Sequence, residues 1–209
     1  METFLSNLYP IKAAAVTAIV MAIAISRVRE HHPFARFGPA NWVTMVRLVL
    51  VALVAGLIGE PTRPAVASAA ALLSTLATGL DGLDGWLARR THLSSRFGAR
   101  FDMEIDAMLI LFLAVLIWTH GKAGAWVLVS GLLRYVFVSA GWLLPWLRRP
   151  LPPSRRRQAI CVVQIVGLTV AIVPAVPPPE SAWLAAVVSV MLCYSFLVDV
   201  VWLGTRGPL

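Results

Sequence analysis

Asp81, Asp84, Asp102, Glu104 and Asp106 are five of the ten acidic residues in this chain, and they fall within 26 consecutive positions. Asp81 and Asp84 are spaced i, i+3, and Asp102 and Asp106 are spaced i, i+4, so on helices each pair occupies one face. Glu104, two residues from each neighbour, points away from that face. A tight connection, Arg90 to Ser95, joins the two segments and makes them antiparallel neighbours, which brings four carboxylates together. Two carboxylates ~4 Å apart repel by roughly 4 kcal/mol at an effective dielectric of about 20. Four cannot all stay ionised near neutral pH without a counter-charge, so either their pKa values rise or divalent cations sit among them. An all-oxygen donor set suits Mg²⁺ or Mn²⁺, with Ca²⁺ admitted by size. The competing reading is a solvated loop in which Arg89, Arg90, Arg96 and Arg100 neutralise the acids. Helical spacing in both pairs argues against it.

The elements that carry these residues are membrane helices. Of 209 residues, 59% are hydrophobic and 13% charged, and the mean hydropathy of +0.80 is too apolar for a soluble domain. Six runs approach the roughly 20 apolar residues needed to cross a bilayer. They are Trp42 to Ile58, Ala65 to Leu80, Met108 to Thr119, Ala125 to Trp146, Ala159 to Val176 and Ala182 to Leu203. The third is short unless its helix starts near Gly98, which would place Asp102 and Asp106 inside it. The net charge of +8 is gathered at Arg27, Arg29 and Arg36, at Arg89, Arg90, Arg96 and Arg100, and at Arg148, Arg149, Arg155, Arg156 and Arg157. The alternate loops hold only Arg63 and Lys122. This positive-inside pattern puts the basic loops, and the aspartates beside them, at the cytoplasmic face of the membrane. It also assigns the charge to membrane orientation and anionic lipid rather than to nucleic acid. The expected architecture is an all-α, six-helix transmembrane bundle of residues 38–209, preceded by an N-terminal helix and basic linker of residues 1–37. Ile11 to Ser26 is apolar on every face but only 16 residues long, and is read as either a seventh crossing or a surface helix. No small-residue cleavage site follows it.

Written out, the acidic region is Asp81-x2-Asp84-Gly85-x2-Ala88-Arg89-x8-Gly98-x3-Asp102-x3-Asp106. This resembles the signature of the CDP-alcohol phosphotransferase (CDP-alcohol phosphatidyltransferase) family in every fixed position and spacing. Upstream, Asn41-x2-Thr44-x2-Arg47 is similar to the family's first-helix pattern. The resemblance implies that Asp81, Asp84, Asp102 and Asp106 bind two divalent metals, Mg²⁺ or Mn²⁺. It further implies that Asn41, Thr44, Asp81, Gly85, Ala88, Arg89 and Gly98 form the CDP-binding site. Asp106 would be the base that takes a proton from the acceptor hydroxyl as CMP leaves. The implied partners are a CDP-linked lipid donor, CDP-diacylglycerol foremost, a small polar alcohol acceptor, membrane lipids and a second copy of the chain in a homodimer. A CDP-activated small alcohol attacking a lipid hydroxyl is the variant reading of donor and acceptor. From the residues alone, Gly85, Ala88 and Gly98 equally suit close helix packing, as small residues do in membranes.

Outside the signature, Arg134 lies midway along an apolar run, where an ionisable residue implies either function or an internal ion pair, here with Asp199. Arg134 and the Arg155, Arg156, Arg157 cluster are expected to bind a negatively charged, phosphorylated acceptor, glycerol-phosphate-like or inositol-phosphate-like, since an arginine fork grips two phosphate oxygens. Membrane orientation is the plainer reading of that cluster. Tyr135, Gln164 and Tyr194 are read as interhelical hydrogen-bonders, the four histidines as loop or interface residues, and Cys161 and Cys193 as small packing residues. A divalent-cation transporter or channel would also gather carboxylates in a bundle, but such sites lie near the midplane. It would place no demand on the glycines and Arg89 of the signature.

Overall fold

The computed structural model describes the backbone of residues 5–31, 39–91 and 96–205, and the side chains of residues 5–22, 43–82 and 101–205. Among them are seven α-helices and no strand: α1 (Tyr9–His31), α2 (Pro39–Gly56), α3 (Pro64–Thr91), α4 (Arg96–Thr119), α5 (Leu128–Leu143), α6 (Arg155–Ile172) and α7 (Glu180–Thr205). Among the described residues three stretches are long and apolar enough to cross a membrane: Pro64–Gly82, Ala125–Leu143 and Glu180–Thr205. Leu72, Leu76, Val136, Val187, Val190 and Leu197 all face outward from the bundle. Exposed apolar side chains in such number fit lipid, not water. Trp118, Trp126, Trp142 and Trp183 are also exposed and sit at or near helix ends, as in an aromatic belt.

Helix boundaries differ from the apolar runs where charge or proline intervenes. α4 begins at Arg96, so Asp102 and Asp106 do lie within it. The expected helix from Ala125 to Trp146 is instead three pieces: a single 3₁₀ turn at Ala125–Val127, α5 proper, and another 3₁₀ turn at Pro145–Arg148. Pro145 cannot donate to the helix ladder and forces Leu144 into an extended conformation (φ −119°, ψ 91°), so α5 stops at Leu143. Two tight turns at the end away from the basic clusters use glycines at positive φ, Gly59 (80°) and Gly121 (66°). α3 starts with Pro64, whose fixed φ suits a first helical position.

α2, α3, α4 and α6 form the centre of the bundle, with α1 against α2, α5 against α4 and α7 against α6. The core is built from Leu48 and Val51 of α2, Ala70 and Ala77 of α3, Ile105, Leu109 and Leu113 of α4, and Ile165 and Leu168 of α6. Hydrophobic transfer does little to associate helices in lipid, so close approach of backbones matters more. A Cβ on Gly131 of α5 would lie 2.6 Å from Leu111 Cα of α4, and one on Gly167 of α6 would lie 2.5 Å from Val188 Cγ1 of α7. These glycines set the α4–α5 and α6–α7 distances. The expectation is that α3 and α4 are antiparallel neighbours, and the side chains nearest their connection, residues 83–100, lie outside those described. Among the described residues α3 and α4 touch only lightly, and α2 and α6 each pack against both.

α1 spans 23 residues, longer than its 16-residue apolar run, and would be about 34 Å long. It lies antiparallel to α2. Tyr9 Oη donates to Leu53 O (3.3 Å), Lys12 Nζ donates to Ile58 O (3.0 Å), and Glu60 accepts from Ser6 N and Ser6 Oγ, both at 2.7 Å, and from Lys12 Nζ at 2.5 Å. The Glu60 side chain is fully buried in this clasp. The Lys12 hydrogen bond, then those from Ser6, hold its carboxyl down to about 2 against an ordinary value of 4.5. A depressed carboxylate pKa contributes stability that is complete above the unfolded value and lost as pH falls toward the folded one. The α1 clasp should therefore weaken between pH 4.5 and about 2. Thermal unfolding of the detergent-solubilised chain across that range should show a decline that is reduced in Glu60→Gln. Identical acid profiles for the two proteins would show that the clasp plays no part.

Candidate active site

Four helices contribute side chains to one polar centre. Thr44 and Arg47 are three residues apart on α2 and share its buried face, at 8% and 1% exposure. Asp81 lies on α3, in the last turn whose side chains are described, and Asp102 and Asp106 lie one turn apart on α4. Arg47 Nη1 is 2.9 Å from Asp81 Oδ1 and also pairs with Asp102 Oδ1, while Nη2 is 2.5 Å from Asp106 Oδ1. From α6, Cys161 Sγ approaches Asp106 Oδ2 at 3.9 Å. The carboxylates are graded in exposure: the Asp102 side chain is 33% exposed, Asp81 26% and Asp106 16%. The centre is thus open at Asp102 and Asp81 and closes toward Asp106.

One oxygen from each of Asp81, Asp102 and Asp106 lies within 4.8 Å of the others, a group that could hold a metal ion. Three hard oxygen donors at this spacing suit Mg²⁺ or Mn²⁺, so the residues fit such an ion. Of the other expected site residues, Asp84, Gly85, Ala88, Arg89, Gly98 and Asn41 lie outside the residues whose side chains are described. Thr44 faces inward beside Arg47 on α2.

Sequence reasoning placed Arg47 in the first-helix pattern but gave it no role, and missed its position at the centre of the aspartate cluster. The available signal was an arginine, three residues after Thr44, on the inward face of an otherwise apolar helix, which in a membrane requires an anionic partner. The approach of Cys161 to Asp106 had no such signal, because it depends on how α6 packs against α4.

The expected pair between Arg134 and Asp199 does not form. Arg134 instead holds Glu104, with Nε to Oε2 at 3.2 Å and Nη2 to Oε1. Gly131, one turn before Arg134, lets α5 approach α4 closely enough for this contact. Glu104 therefore faces α5, away from the aspartates, as its spacing requires. Asp199 pairs with Arg156 Nη2 (2.5 Å) and Arg157 Nη1 (3.4 Å), and Arg156 Nη1 also donates to Ser195 O (2.8 Å). Cations at a helix N-terminus oppose its dipole, and the α7 carboxylate offsets this at the start of α6. Arg155 is exposed. Tyr194 is 59% exposed and faces out of the bundle, and Gln164 is fully buried without a hydrogen-bond partner among the described residues, so neither links helices as expected.

Comparison with known families decides the class. The family model described as CDP-alcohol phosphatidyltransferase matches residues 37–198, most of the chain and all of the site. The chain belongs to the CDP-alcohol phosphatidyltransferase family. No curated protein matches the sequence. Membership makes it a membrane-bound transferase of phospholipid biosynthesis that moves a phosphatidyl group from a CDP-alcohol donor to an alcohol acceptor. Phosphatidyltransferases of this family use divalent metals, and the aspartate cluster described above is a group able to bind one. The transporter alternative is set aside by the same finding.

Proposed function

We propose that this phosphatidyltransferase takes CDP-diacylglycerol as donor and a phosphorylated small alcohol as acceptor, at a two-metal site on the cytoplasmic side of the membrane. The observation that carries this reading is the convergence of Asp81, Asp102 and Asp106 at signature positions of the matched family. Asp84 is assigned as the fourth ligand by its place in that signature. When bound, Mg²⁺ or Mn²⁺ neutralises the donor's diphosphate and the charge developing on departing CMP. Asp106 is the assigned base. Its carboxylate takes the acceptor hydroxyl proton as that oxygen bonds to the lipid-linked phosphorus, the bond to the CMP oxygen breaks, and CMP leaves with the electron pair. Its position suits the role, since it is the least exposed of the three carboxylates and so the most shielded from competing water. Asn41, Thr44, Asp81, Gly85, Ala88, Arg89 and Gly98 are assigned to CDP by the same motif. Release of CMP from CDP-diacylglycerol by the purified protein, against a panel of phosphorylated and neutral alcohols, tests the substrate assignment. Turnover with CDP-linked small alcohols and diacylglycerol instead would reverse donor and acceptor.

The acceptor's charge is assigned to arginines near the site. Arg134, Arg156 and Arg157 already hold carboxylates, so they could serve an anionic acceptor only with donors those pairs leave over, whereas Arg155 is exposed. Arg134→Ala and Arg155→Ala should each raise the acceptor KM about tenfold and leave the donor KM within about twofold, the loss expected for one charged hydrogen bond. Unchanged acceptor KM in both, together with a preference for a neutral alcohol, would remove the anionic-acceptor assignment.

The topology proposed is six crossings by α2 to α7, with α1 as a seventh that places the N-terminus outside. The support is the antiparallel clasp of α1 on α2. In a chain whose Cys161 and Cys193 are replaced by serine, Asn7→Cys should react with an impermeant maleimide in intact cells. Labelling only after lysis would place that end inside.

A further inference from the structure

The aspartate centre has a feature that the transfer reaction does not use. Asp81, Asp102 and Asp106 bring three carboxyl groups together within the helix bundle, and among the described residues the Arg47 guanidinium reaches all three. Arg47 is 1% exposed, so its own charge is sustained there by these carboxylates. Each side of this arrangement requires the other. The guanidinium draws one oxygen from each of the three carboxylates that would ligate a divalent ion. An ion bound by the same three carboxylates would lie close to the guanidinium, cation beside cation, so the two compete for one set of acidic groups. Both cannot hold the cluster in the same way.

We propose that Arg47 is a resident counter-cation, which keeps the aspartate centre assembled before metal arrives and which divalent ions must displace from the carboxylates to load. The proposal rests on the metal-binding reading above and extends it to a competition within the chain. Arg47 thereby sets a ceiling on metal affinity and makes the metal-free fold self-sufficient.

Mn²⁺ binding by the full-length, detergent-solubilised chain, followed by calorimetry and by loss of the free-ion resonance, tests this alongside thermal unfolding in chelator. Arg47→Gln keeps much of the side chain's reach and a hydrogen-bond donor but no charge. It should bind Mn²⁺ at least about tenfold more tightly than the unaltered chain, since removing a favourable rival cation strengthens the carboxylates' demand for the other. In chelator it should unfold at a lower temperature than the unaltered chain, and Mn²⁺ should restore more of its stability. Recovery of Arg47→Gln only from Mn²⁺-containing buffer would be the extreme form of the same result. If it cannot be recovered at all, Arg47→Lys decides: its single ammonium cannot span three carboxylates as the guanidinium does, and Mn²⁺ should bind about threefold or more tightly. Mn²⁺ binding to the unaltered chain with equal or weaker affinity in the variants would overturn the counter-cation role and leave the metal site standing. No Mn²⁺ binding to any of the proteins would overturn both.

Discussion

Asp102→Asn should leave a folded protein with almost no transferase activity, at least ~10²-fold below the unaltered chain at saturating Mg²⁺. Asp102 is the most exposed of the three clustered carboxylates, at the open side of the centre. Asparagine retains the shape and one oxygen, so Arg47 Nη1 still finds an acceptor and the α2–α4 contact survives. What is lost is the negative charge that the proposed metal site would use at this position. Because the fold already has Arg47 as counter-charge, unfolding in chelator should change little, which separates a chemical loss from a structural one. Asp84→Asn should behave in the same way by its place in the signature. Both effects predict that the unaltered enzyme is silent in excess chelator and regains activity with Mg²⁺ or Mn²⁺. Substantial CMP release with all divalent ions removed would end the two-metal proposal, whatever the variants did.

Asp106→Asn is expected to separate binding from chemistry. Its Oδ1 accepts from Arg47 Nη2 and its Oδ2 faces Cys161 Sγ, so the amide can replace the carboxylate with its oxygen toward Arg47. The donor should then bind within about tenfold of normal, because the other carboxylates remain. Turnover should drop by at least ~10², since an amide cannot accept the acceptor's proton. Donor affinity read by equilibrium binding and kcat read by CMP release give the two halves of the comparison. A variant turning over near the normal rate would mean that another group, or water, takes the proton.

Much of the site was legible before any fold was known, because helical spacing is a local property. Asp102 and Asp106 had to share a face of α4 once that segment was helical, and Glu104 had to face elsewhere. Composition and the alternation of basic and neutral loops likewise pointed to membrane helices, since bilayer thickness and the cost of buried charge act on each segment separately. Helix ends were less legible. The run from Ala125 to Trp146 looked continuous, yet Pro145 stops α5 at Leu143.

What tertiary structure alone decided was which charges meet. Arg134 and Asp199 are the obvious partners on charge and depth, but α5 packs on α4 through Gly131, so Arg134 takes Glu104 and leaves Asp199 to Arg156 and Arg157. Among the described residues α2 and α6 pack against both α3 and α4, and Arg47 reaches the aspartates of each. Sequence spacing reports which residues share a helix face. It carries no information on which other helix covers that face, because that choice is made by side-chain volume, small residues and charge balance across the whole bundle. The aspartates could therefore be read from the chain itself, whereas the part Arg47 plays in holding them together appears only once α2 is in place.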